Sequence, residues 1–152
     1  SFNLQIFFLY KRFSHQMKLL SLNKGFIQDR SLYEDKEIFA RNLKDLKLMT
    51  SRDWDTYKNL FHEITKFLKE PDLIVYLKAS TSTLITRINN RKRDFEKEIS
   101  SEYIHSLNIY YNGWISKLPP EKVLVIDTNN FNIFEDHGKF LSIQKNIIKK
   151  LS

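Results

Sequence analysis

The chain has 152 residues, 41% of them apolar and 28% charged, with a formal net charge of +7. That balance fits one globular domain with a real core rather than a disordered chain. Cysteine is absent, which excludes disulfides, zinc–thiolate sites and a thiol nucleophile. The positive charge suits an anionic partner such as a nucleotide, a phosphate or nucleic acid.

Residues 1–21 read as an amphipathic helix, with Leu4, Phe7, Phe8, Leu9, Phe13, Met17 and Leu20 at helical spacing. Asn23-Lys24-Gly25 stops it, and residues 26–29 form a short strand candidate. A second helix spans residues 33–48, with Ile38, Phe39 and Leu43 as its apolar side. A third starts near Thr50, with Ser51 as its cap and Trp54, Tyr57, Leu60, Phe61, Ile64 and Leu68 on its inner face. After Pro71, residues 73–77 are apolar throughout, as in a strand buried on both faces of a parallel sheet. Helices follow over residues 82–91 and from Ser101 (the expected N-cap) to the Pro119-Pro120 break. "KVLVIDTNN" is a further buried strand ending in Asp127, and a helix over residues 140–151 closes the chain. Strands alternating with helices predict an α/β domain with a parallel sheet flanked by helices, organised as one domain over residues 1–152.

The longest apolar runs are far too short to span a bilayer, so no membrane partner is expected. No short hydrophobic block is followed by a small-residue cleavage site, which points to the cytoplasm. The chain begins at Ser1 inside an apolar pattern, which reads as a piece whose upstream part is missing. Three glycines, Gly25, Gly113 and Gly138, cannot build a glycine-rich phosphate loop.

Three constellations can carry chemistry. Ligands of open α/β sheets lie beyond the carboxyl ends of strands, where Asp29-Arg30, Lys78 and Asp127 fall. Asp29 suits Mg²⁺ or its water, and the fork of Arg30 suits phosphate, although a merely polar strand end explains both. Arg87 and Arg91 share a helix face, with Lys92 and Arg93 just beyond. Such a cluster stabilises a transferring phosphoryl group, or is a solvated basic face. Gln5 and Arg12 are two helical turns apart, and a Gln amide can read a base edge, or both belong to an ordinary helix surface. The four histidines show no metal-ligand spacing.

Taken together, "SFNLQIFFLYKRF", "IQDRSLYEDKEIFARNL", "MTSRDWDTYKNLF", "PDLIVYLKAS", "RINNRKRDFEKEISSEYIHSLNIYYNGWI" and "VLVIDTNNFNI" occur in the order expected of a deoxynucleoside kinase. The chain resembles the bacterial deoxyadenosine/deoxyguanosine kinase group over essentially its whole length. The resemblance implies a P-loop kinase fold, here without its first strand and phosphate loop. It also implies phosphate transfer from ATP or another nucleoside triphosphate, with Mg²⁺, to the 5′-hydroxyl of a deoxynucleoside in nucleotide salvage.

Carried onto this sequence, the family pattern has Gln5 bond the base and Phe39 stack on it, with Arg12 and Asp35 as a charged pair beside it. Arg30 meets the 5′ oxygen and phosphates, with Asp29 near the metal. Arg87, Arg91 and Arg93 belong to a phosphate-covering lid, Glu96 binds the sugar 3′-hydroxyl with Tyr103 close behind, and the loop after Asp127 packs on the donor base. Arg12 with Asp35 implies a purine preference, and a homodimer is expected.

The sequence departs from the pattern at two positions. Asp29 replaces a Glu common in animal members, and Lys92 stands where the lid often has Gly. With the phosphate loop and general base upstream, the 152-residue stretch by itself is expected to have little activity. Two rival readings are a non-catalytic remnant or module whose basic face meets nucleic acid or a protein partner, and a nucleoside monophosphate kinase. The base-reading residues favour the deoxynucleoside kinase over both, so nucleic acid is not the expected partner.

Overall fold

A computed structural model of the protein describes residues 2–96 and 98–152. They form two compact units, residues 1–70 and 71–152, which are taken separately below.

The first unit is helical. Helix α1 (Phe2–Ser21) is followed by an extended, unpaired segment, then by α2 (Leu32–Glu34), a π turn (Asp35–Ala40), α3 (Arg41–Asp45) and α4 (Ser51–Thr65). The strand expected over residues 26–29 is not formed, and Ile27 is 100% exposed. An isolated extended segment has no ladder to satisfy its backbone, so local apolar character alone does not make it a strand. The helix expected over residues 33–48 is present but carries a π turn at its centre, a feature frequent at functional sites. Its start is fixed by Glu34, whose carboxylate accepts from the Ser31 N–H at 2.7 Å. The cap of α4 is Thr50 rather than Ser51, because the Thr50 hydroxyl accepts from Asp53 N at 3.1 Å.

Leu9, Leu32, Ala40, Met49, Tyr57 and Phe61 form the core of this unit. Each large side chain buried here contributes about 1.5–3 kcal/mol. Helix α1 faces that core with only part of the side expected. Its buried residues are Gln5, Leu9 and Gln16, with half-buried Arg12 on the same stripe. Leu4, Phe7, Phe8, Tyr10 and Met17 lie outside, Phe7 at 51% and Tyr10 at 62% exposure. The helix therefore sends Gln5, Arg12 and Gln16 inward beside Leu9, while much of its apolar surface lies outside.

The second unit is the α/β part. Strands β1 (Ile74–Lys78) and β2 (Val123–Asp127) pair in parallel, Ile74 opposite Val123 through Lys78 opposite Asp127. Parallel neighbours require a crossover, supplied here by α5 (Thr81–Arg91) and α6 (Ser101–Ile115), which pack on each other. Helix α7 (His137–Leu151) packs on β2, and Lys150 Nζ donates to Val123 O at 2.7 Å and Pro120 O at 2.6 Å. The α/β class with a parallel sheet flanked by helices is thus present. The expected burial of β1 on both faces is not: Val75 is 37% and Leu77 62% exposed. A strand's burial depends on what covers it, and among the described residues β1 has one strand neighbour. The cap of α6 is Ser100 rather than Ser101, its hydroxyl accepting from Tyr103 N. No helix among the described residues is long and apolar enough to cross a membrane.

Lys92 ends α5 in the left-handed region, at φ 50°. A side chain there costs about 1 kcal/mol, which glycine avoids at some cost in unfolded-state entropy. Lys92→Gly is expected to raise stability by up to about 0.5–1 kcal/mol. Thermal unfolding checks it, and a lowered midpoint would contradict the strain.

Candidate functional site

In the first unit the inward stripe of α1 meets the π turn. Asp35 is almost fully buried, and Arg12 Nε donates a short charge-assisted hydrogen bond to its Oδ2. Burial pushes the Asp35 carboxyl above its usual value, while the charge and hydrogen bond of Arg12, and then the charge of Arg30, pull against it. Arg12 Nη1 also approaches Arg30 O at 3.5 Å. Arg30 holds φ 61°, an uncommon conformation for a side chain of its size. Its guanidinium lies over the Phe39 ring at 5.1 Å from the centroid. Arg12, Arg30, Asp35 and Phe39 are thus brought together by the turn before α2 and the π turn after it. Asp29, next to Arg30, is exposed.

Among the described residues, three buried oxygens of this unit have no hydrogen-bond partner: Gln5 Oε1, Gln16 Oε1 and the Tyr57 hydroxyl. An unsatisfied buried polar group costs about 1–3 kcal/mol, so hydrogen-bonding capacity is left over on this face. Gln5 Oε1 can accept from a ligand N–H. Tyr57 is fully buried, and burial, with the nearby Asp35 charge, pushes its phenol far above the usual value. The hydroxyl therefore stays protonated and can donate. A buried amide oxygen, a fixed ion pair and an aromatic face suit a flat, polar ring.

The second unit carries the other expected residues. Arg91 Nη2 and Arg93 Nη1 each stand 3.5 Å from a different oxygen of Glu96, whose side chain is mostly buried. One carboxylate thus holds two half-exposed guanidinium groups, which keep donors free for an anion. Arg87, expected in the same cluster, points elsewhere: it donates to the Thr128 hydroxyl at 3.1 Å, to Thr128 O, and to Phe131 O at 3.3 Å. Asp127 is turned onto its own loop, Oδ1 accepting from Asn129 N at 2.9 Å and Asn129 Nδ2 at 3.0 Å. Tyr103 is at the surface in the first turn of α6.

Tyr57, Gln16 and Thr128 were not singled out as site residues from the sequence. Tyr57 sits on the apolar stripe of α4, and periodicity carries no signal for where its hydroxyl points.

Comparison with known proteins defines the class. The family model described as deoxynucleoside kinase matches residues 1–151. The chain belongs to the deoxynucleoside kinase family, a group of phosphotransferases. It is 34% identical over 145 residues to a deoxyadenosine/deoxycytidine kinase of Bacillus subtilis, covering 94% of this chain and 67% of that protein. It is 38% identical over 117 residues to a deoxyadenosine kinase of Dictyostelium discoideum, covering 77% of this chain but 47% of that protein. Among solved structures, the deoxyadenosine kinase of M. mycoides with products dCMP and a flexible dCDP bound superposes with a TM-score of 0.80 at 28% identity, covering 95% of this chain and 73% of that one. The same kinase with bound dATP gives 0.77 at 29% identity, covering 95% and 74%.

Proposed function

We propose that this protein transfers the γ-phosphoryl group of a nucleoside triphosphate, ATP in the first instance, to the 5′-hydroxyl of a deoxynucleoside. Purine deoxynucleosides are favoured, and the reaction serves nucleotide salvage in the cytoplasm. One observation carries the reading: Arg12, paired with the buried Asp35, shares a face of α1 with the unpartnered oxygen of Gln5. A globular core gains nothing from that arrangement, whereas a base with donors and acceptors on its edge satisfies it.

Gln5 then reads the base edge, Arg12 and Asp35 hold fixed charges beside it, and Phe39 offers its ring face. Arg30 serves the 5′ oxygen and phosphates through its guanidinium, which cation–π contact with Phe39 orients. Arg91 and Arg93 neutralise phosphate charge, where phosphoryl transfer needs most of its stabilisation. Glu96 accepts from the sugar 3′-hydroxyl, with Tyr103 close behind, exchanging part of its arginine contact to do so. The loop after Asp127 packs on the donor base.

Among the described residues no group of three or more His, Cys, Asp or Glu side chains is placed to hold a metal ion. Mg²⁺ in phosphoryl transfer takes one or two carboxylates together with substrate phosphates and water. The exposed carboxylate of Asp29 fits that smaller demand. When bound, the ion would screen charge on the donor phosphates.

The outward apolar face of α1 supports a homodimer. Phe2, Asn3, Ile6, Phe7, Tyr10 and, from α4, Thr56 and Leu60 line an open, largely apolar groove of about 570 Å³. Exposed apolar patches of this kind mark interfaces. Sedimentation at micromolar concentration is expected to give a dimer that Phe7→Glu dissociates, and a wild-type monomer would contradict it.

The reading is tested by supplying the full-length protein with ATP, Mg²⁺ and a panel of acceptors. Turnover of deoxyadenosine or deoxyguanosine is expected. Turnover of nucleoside monophosphates alone, or salt-sensitive nucleic-acid binding without turnover, would overturn it.

A further inference from the structure

Helix α4 packs on both α1 and the π turn, and Tyr57 stands where the three meet. It shares one buried cluster with Leu9 of α1 and with Leu32 and Ala40, which flank Asp35. Leu9 lies one helical turn from both Gln5 and Arg12. The Tyr57 ring is fully buried and stacks on Trp54, with centroids 6.1 Å apart and planes 9° apart.

A phenylalanine would supply that ring and that stacking. The hydroxyl adds nothing to the packing. It is buried, and among the described residues it has no hydrogen-bond partner. Buried tyrosine hydroxyls usually find one, because stranding them is unfavourable. After burial itself, the charge of Asp35 is what pushes the phenol up, and the charge of Arg12 opposes it. The hydroxyl is thus a neutral donor within the field of the ion pair but not bonded to it.

Asp35 has use for such a donor. Arg12 Nε occupies Oδ2, and a carboxylate accepts at both oxygens. A base lying beside the pair shares the guanidinium donors of Arg12. Arg12 keeps 22% of its side-chain surface and can turn to the base, whereas Asp35 at 4% exposure has no water to replace what it loses. We propose that Tyr57 is a positioning residue of the base site: its hydroxyl donates to Asp35 when a base engages Arg12, and so sets the affinity for the deoxynucleoside. For the nature of the ligand this rests on the kinase reading above. The hydroxyl stranded in the ligand-free protein is then a donor held in reserve for the complex.

The test uses the full-length protein with Tyr57→Phe, Asp35→Ala and the double variant. KM for deoxyadenosine and for ATP is measured beside the calorimetric Kd for deoxyadenosine. Tyr57→Phe should raise both deoxyadenosine constants about tenfold, as loss of a donor to a carboxylate requires, and leave KM for ATP within about twofold. Chemical unfolding of the ligand-free variant should show no loss of stability, because its hydroxyl has no bond to lose. In the Asp35→Ala background, Tyr57→Phe should change deoxyadenosine binding by less than about twofold, since the acceptor is gone. Unchanged deoxyadenosine constants for Tyr57→Phe would overturn the proposal. So would a destabilised ligand-free variant in which both KM values rise together, the pattern of a structural hydroxyl, or an effect that persists without Asp35. A wild type that binds deoxyadenosine but transfers no phosphate would sink the kinase reading alone, with the Kd ratio still deciding the role of Tyr57. A wild type that does neither would overturn both.

Discussion

Arg12→Met is expected to destabilise the protein by about 3 kcal/mol at neutral pH, and adding Asp35→Ala is expected to return most of that loss. The asymmetry follows from burial. Asp35 is 4% exposed, so removing Arg12 strands a carboxylate away from water. Arg12 keeps 22% of its side-chain surface, so it can rehydrate when Asp35 is the residue removed. The pair therefore couples strongly, and the single Arg12 variant is worse than the double. Burial already pushes the Asp35 carboxyl above the usual 3.8, and loss of Arg12 pushes it further. A carboxyl raised in the folded state leaves the fold most stable below the unfolded value and costs stability as pH rises through the folded one. The Arg12→Met deficit should thus shrink from pH 7 toward pH 4. Chemical unfolding of the three variants at both pH values measures this, and additive, pH-independent losses would contradict a buried, coupled pair.

The second large effect is expected at Gln5, with opposite signs on stability and function. Gln5→Leu removes an amide oxygen that is buried without a partner. It places a leucine on the stripe of Leu9, and stability of the ligand-free protein should rise by about 1 kcal/mol. The same change should lower kcat/KM for deoxyadenosine by roughly 10²-fold or more, because a polar base edge is left facing an apolar wall. Unfolding curves and steady-state kinetics on one preparation decide it. A variant that is less stable and equally active would assign Gln5 to structure alone.

Both predictions come from a helix whose periodicity is plain but whose direction is not. The spacing of Leu4, Phe7, Phe8 and Met17 identifies α1 as a helix, and it is one over Phe2–Ser21. The usual inference that the apolar side turns inward holds for Leu9 but not for Leu4, Phe7, Phe8 or Met17, because the buried stripe runs through Gln5, Leu9, Arg12 and Gln16. Hydrophobic patterning presumes that burial is repaid by apolar contact, and a stripe that buries two amides and an ion pair breaks that presumption. The Arg12–Asp35 pair spans 23 positions and has no signature in spacing, so only the family resemblance brings the two together.

Strands show the same division. Residues 74–78 and 123–127 are legible as apolar runs, and they form the parallel pair. How much of each face is covered is a property of the neighbours, so the exposure of Val75 and Leu77 has no local cause to read. The turn at Asp29-Arg30 was legible as charge at the end of an extended segment. Its positive φ at Arg30 and the π turn behind it were not, since each is imposed by tertiary context rather than by residue preference. Arg87 is the converse case. Its place among arginines suggests a phosphate, whereas its donors go to backbone and hydroxyl oxygens 41–44 positions away.

The central claim, that the α1 stripe and the π turn read the base of a deoxynucleoside, is tested most directly by the acceptor profile of the Arg12→Met/Asp35→Ala variant of the full-length protein. With ATP as donor, kcat/KM is measured for deoxyadenosine, deoxyguanosine, deoxycytidine and thymidine beside the wild type. The account predicts that purine use falls by at least about tenfold relative to thymidine, as loss of a charged contact to the base requires. A profile that keeps its wild-type ratios would contradict it.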